Sequence, residues 1–164
     1  METLAQDALQ QAFDDQPLFK DKVWRLSPEP WNLTPAQAEA LCDIGQACLE
    51  FYRAQERLYR FACEGRNLLR NSKLDASWVL EYLDRGKPKA LIEHSRQSLL
   101  KNSHPMIIRP DVLQTEDGFV LTEMDAVPGG IGLTAYLNQV YGDVFPDTIG
   151  AGNLMPEAFY RSVA

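Results

Sequence analysis

The 164-residue chain reads as an α+β unit, a mostly helical layer packed on a small antiparallel sheet, and three features point there. Residues 34–65 repeat an apolar side chain every three or four positions, the period of a long amphipathic helix. Residues 107–115 and 119–125 are rich in Ile, Val, Leu, Phe and Thr, and they flank Glu116-Asp117-Gly118, the punctuation of a hairpin. With 45% hydrophobic and 24% charged residues, the chain has the composition of a globular domain able to bury a core.

Leu4, Ala8, Leu9, Ala12 and Phe13 share one face of a short helix over residues 1–13. Residues 14–30 hold three prolines and read as irregular; Trp24 and Trp31 flank the Ser27-Pro28-Glu29-Pro30 turn, as anchors of that loop on the core. Thr34 then caps a helix with Pro35 in its first turn and Gln37 at the capping-box position. Leu41, Ile44, Cys48, Phe51 or Tyr52, Gln55, Leu58 or Tyr59 and Ala62 carry its stripe as far as Glu64-Gly65, where glycine can close it. Cys42, Cys48 and Cys63 lie on this helix more than a turn apart, so no two can bridge, and they read as core thiols in a reducing cytoplasm.

A polar connector over residues 64–72 leads to Asp75-Ala76-Ser77, a cap for a helix carrying Trp78, Val79, Tyr82 and Leu83 and ending at Gly86. Lys87-Pro88 opens another through Ala90, Leu91, His94 and Leu99. The basic residues between Arg66 and Lys101 read as a solvated face rather than a cationic wall, and His94 and His104 lack the spacing of a zinc site. Beyond the hairpin, residues 133–140 are helical and Tyr141-Gly142-Asp143 ends them. A glycine-containing loop over residues 147–153 precedes a helix from Met155 that stops without cap or closing turn, so the chain reads as ending mid-element.

Several functions are excluded. A formal charge of −7 argues against non-specific partners among nucleic acids and anionic membrane surfaces. No window approaches the roughly 18 apolar residues of a membrane span, and the first residues are acidic rather than signal-like. Neither a Gly-x-x-x-x-Gly-Lys-Ser/Thr loop nor a Gly-x-Gly-x-x-Gly loop occurs.

The hairpin holds the candidate site. A three-residue loop with Gly118 in the left-handed position sets Thr115 opposite Phe119, Leu113 opposite Leu121, Asp111 opposite Glu123 and Arg109 opposite Asp125, all on one face. Opposed carboxylates destabilise a hairpin unless something positive lies between them, and Mg2+ is ordinarily held by one or two carboxylates with phosphate and water as its other ligands. Arg109 adds a planar fork suited to phosphate or carboxylate, and the backbone N–H groups of Gly129 and Gly130, leading into a helix, add an anion cradle. The other reading of the same residues is a solvent-exposed hairpin with a charged face.

Arg109-Pro110-Asp111, a hairpin and Glu123-Met124-Asp125 together resemble the metal-binding hairpin of ATP-grasp ligases, with its Arg-x-Asp strand followed by Glu-x-Asn. The likeness is to the circularly permuted branch that includes glutathionylspermidine synthetase, and it covers about thirty residues. It implies a partial ATP-grasp fold in which Asp111, Glu123 and Asp125 hold Mg2+ beneath the phosphates of ATP and Arg109 contacts the transferred phosphoryl group. Asp125 departs from the pattern, since Asn is usual there. The implied chemistry is joining of a small-molecule carboxylate to an amine through an acyl phosphate. Residues 1–104 then form a helical N-terminal region and residues 105–164 a hairpin, glycine-rich loop and helix of a partial ATP-grasp domain. In these relatives the lysines and adenine pocket lie downstream, so the chain reads as the N-terminal portion of a ligase, inactive alone, with a missing C-terminal region or a homo-oligomer completing it. The alternative is a non-catalytic metal-binding, anion-binding or protein-interaction module.

Overall fold

A computed structural model describes residues 2–19, 26–67 and 76–164. The chain is α+β, in the order α1 (Glu2–Asp14), α2 (Pro35–Cys63), α3 (Trp78–Asp84), α4 (Lys89–Ser95), a 3-10 turn (Ser98–Leu100), β1 (Arg109–Thr115), β2 (Gly118–Asp125), α5 (Ile131–Val144) and α6 (Leu154–Val163). Among the described residues the sheet is the single antiparallel pair β1-β2. Trp24, Asp75 and the side chain of Leu4 lie outside the described residues.

Contacts divide the chain into two compact units, Met1–Ala38 with Val127–Ala164, and Glu39–Ala126. In the first, α1 packs on α5 and α5 on α6. Its interior is the apolar stripe of α1, Leu9 and Phe13, with Val140 of α5. Phe13, Phe19 and Tyr136 form an aromatic triangle with centroids 5.3–5.8 Å apart, and the Tyr136 hydroxyl donates to the Ala12 carbonyl. The Tyr141 hydroxyl donates to the Ser27 carbonyl at 2.7 Å, and burial pushes its phenol up from the ordinary value. Trp31, expected to anchor its loop, is 58% exposed. Tyr141 instead ties that loop down.

The expected stop at Gly142 does not occur, and α5 runs on to Val144. A Cβ at Gly142 would lie 2.7 Å from the Ala151 Cβ, so the glycine admits the close passage of the loop before α6 rather than ending a helix.

The longest element is α2, whose first residues belong to the first unit and the rest to the second. Its start is the expected capping box: the Thr34 N–H donates to Gln37 Oε1 at 2.9 Å and the Gln37 N–H to Thr34 Oγ1 at 3.2 Å. Its end is a Schellman closure, Arg66 N–H to Phe61 O at 2.9 Å and Gly65 N–H to Ala62 O at 3.1 Å. Both ends stand where expected, but the thiols differ. Cys48 is buried, Cys63 half-buried and Cys42 exposed. At 3.6 residues per turn Cys63 lies roughly 60° around the helix from Cys48 and Cys42 roughly 120°, so one apolar stripe cannot hold all three.

Ala76 and Val79 are buried at the start of α3, whereas Trp78 and Tyr82 are exposed. The helix expected through Leu99 breaks at Ser95, whose hydroxyl donates back to the Ile92 carbonyl at 2.8 Å, and Gln97 is extended before the 3-10 turn. Arg96, released by that break, bridges helices: its Nη2 pairs with Asp84 and its Nε donates to the Tyr59 hydroxyl at 3.1 Å. Tyr59 in turn donates to Asp84 Oδ1 at 2.8 Å. Desolvation raises the Tyr59 phenol above its ordinary value, and the bonds to Tyr59 and Asp84 hold the Arg96 guanidinium more firmly protonated.

Candidate functional site: the charged base of the hairpin

Two stretches of different register make up the hairpin. At the tip the turn is Glu116-Asp117, two residues rather than three, and Thr115 pairs with Gly118, Gln114 with Phe119, Leu113 with Val120 and Val112 with Leu121. Each tip pair is therefore one residue away from the expected alignment. Gly118 does take the expected positive φ, 122°, but as the first residue of β2.

Between Val112 and Asp111 the register slips by one residue, leaving Thr122 as an extra residue on β2. Its hydroxyl donates to the Asp111 carbonyl at 3.0 Å, which pins the bulge to the opposite strand. Below it the register is the expected one, Asp111 with Glu123, Pro110 with Met124 and Arg109 with Asp125. The two errors cancel, one at the turn and one at the bulge. Thr122 was the residue the sequence did not single out, since a threonine in a strand carries no mark of a bulge.

Alternation places both charged pairs on one face. Arg109 Nη1 bonds Asp125 Oδ2 at 3.0 Å, and these side chains are 41% and 37% exposed. Asp111 and Glu123 are exposed and make no ion pair among the described residues. The three carboxylates proposed as ligands are thus divided, one engaged by arginine and two facing each other. Among the described residues no group of three or more His, Cys, Asp or Glu gathers into a ready metal cage. The donors that remain are carboxylate oxygens, which fit a hard cation that keeps most of its ligands as water or phosphate.

Gly129 and Gly130 belong with α5 in the first unit, the charged hairpin in the second. Gly130 stands at the N-cap of α5 with φ 71° and ψ 0°. Its carbonyl accepts the Thr134 N–H at 2.9 Å and the Thr134 hydroxyl at 3.2 Å. The first turn of α5 starts from that left-handed residue.

No protein-family model, curated protein or solved structure matches this chain significantly. No helix among the described residues is long and apolar enough to cross a membrane.

Proposed function

We propose that the chain is the N-terminal part of an ATP-dependent carboxylate-amine ligase, with the base of the hairpin as its phosphate-handling element. The observation that carries this reading is the restored register below Thr122, which sets Asp111 against Glu123 and Arg109 against Asp125 on one face. Asp111 and Glu123 hold Mg2+ there, the number of carboxylates that ion ordinarily takes from a protein. Bound Mg-ATP supplies the phosphoryl group that activates the carboxylate. Arg109, paired with Asp125, would present its fork to the transferred group, and charge neutralisation with positioning accounts for most of such a transfer. A cytoplasmic setting suits three free thiols.

The test is calorimetric titration of the chain with Mg-ATP. Glu123→Gln and Asp111→Asn weaken binding about tenfold or more while the circular dichroism spectrum stays the same. Equal affinity in both variants removes the hairpin from the site. Binding lost in the variants, but without ADP formation when carboxylates, amines and the remainder of the enzyme are supplied, selects the non-catalytic module. The Arg109–Asp125 pair, which neutralises one of the three carboxylates without any ligand, favours that second reading.

A further inference from the structure

The second unit also contains a cleft that the hairpin does not line. It has a volume of about 350 Å3, within the range that encloses small organic ligands. Tyr52, Tyr59, Leu83, Leu100 and Pro105 give it walls that are mostly apolar.

Its acidic groups are already satisfied. Glu56 accepts from Arg60 Nε at 3.1 Å and from the Asn102 N–H at 3.0 Å. Asp84 accepts from Tyr59 and pairs with Arg96. What remains is of the opposite character. Lys87 lines the cleft and makes no ion pair among the described residues. His104 also lines it, and its Nδ1 is buried with no hydrogen-bond partner, a condition that folded proteins rarely leave uncorrected. The backbone holds His104 there through Asn102, which takes the left-handed conformation at φ 64° while its N–H is fixed by Glu56. A positive φ at a non-glycine residue is spent here on turning Ser103 and His104 onto the wall of the cleft.

We propose that this cleft binds a small amphipathic carboxylate, an apolar body seated among the tyrosines and Leu83, Leu100 and Pro105 beside the His104 imidazole, and a carboxylate reached by Lys87. An anion is specified because the carboxylates in the wall are neutralised by their own arginines, so an incoming cation meets no free partner while Lys87 stays uncompensated. The apolar wall selects against inorganic anions, which would bury no surface there. The site stands apart from the ligase reading, because neither the nucleotide nor any residue of the hairpin takes part.

The chain has only two histidines, His94 and His104, so imidazole resonances of the ¹⁵N-histidine-labelled protein report the cleft with a built-in reference. Sodium phenylacetate or hexanoate shifts the His104 Nδ1 resonance saturably and leaves His94 unmoved. Phenylacetamide, of the same shape without the charge, binds about tenfold more weakly, and Lys87→Met weakens phenylacetate by a similar factor. Lys87 is exposed, so that variant keeps the fold. Absence of a saturable His104 shift with both acids overturns the proposal, as does equal affinity for acid and amide.

Discussion

Tyr59 shows how a single side chain can hold several elements together. It links α2 to Asp84 of α3 and to Arg96 beyond α4, so Tyr59→Phe removes one donor and one acceptor at once. The expected cost is about 1–2 kcal/mol, read as a lower urea midpoint. Its phenol and that of Tyr141 are both raised above 10.0, chiefly by burial. A raised folded value means that the stability they contribute is fully present below the unfolded tyrosine value and is lost as pH climbs through the folded ones. Alkaline unfolding of the double variant Tyr59→Phe/Tyr141→Phe is accordingly shallower above pH ~10 than that of the unaltered chain. The thiols give a second residue-scale expectation. Cys42 reacts with an aromatic disulfide reagent first and Cys48 only on opening of the unit, an order set by exposure. If Cys48 reacts as fast as Cys42, the α2 stripe is placed wrongly.

Elements were readable from the sequence where a local rule fixes them. Thr34, Pro35 and Gln37 mark the start of α2 because capping is a matter of neighbours, and Thr34→Ala is expected to cost about 1 kcal/mol and to fray the first turn in hydrogen exchange. Gly142 was misread as a stop because the reason for it, the Ala151 side chain, is nine residues away and visible only when the loop has folded back. The hairpin falls between these cases. The base pairs came out as expected because a turn counted one residue too long was offset by the bulge at Thr122, and both features depend on how twist is shared between the strands, which composition does not report. Thr122→Val keeps strand preference and loses the hydroxyl; it should cost roughly 0.5–1 kcal/mol and speed amide exchange at Asp111 and Glu123 more than at the tip. Uniform exchange along both strands would mean that the bulge is not held by that bond.

Across the molecule, the described residues with fully buried side chains are few, Leu9 being the largest, while Leu18, Trp78, Tyr82, Leu99, Ile149 and Tyr160 stand exposed. Apolar surface of this kind seeks cover, so the chain is expected to bind a hydrophobic dye under native conditions and to self-associate with concentration in light scattering. A monomer without dye binding would mean that these side chains are individually solvated. One consequence of the division into units concerns time rather than space. The first unit draws on both chain ends, Met1–Ala38 and Val127–Ala164, whereas the second is one uninterrupted stretch. During synthesis the second unit has all its residues while α5 and α6 are still being made, and α1 must wait for residue 136 before Phe13 can meet Tyr136. In that interval α1 has only transient partners, so the order of assembly runs from the second unit outward.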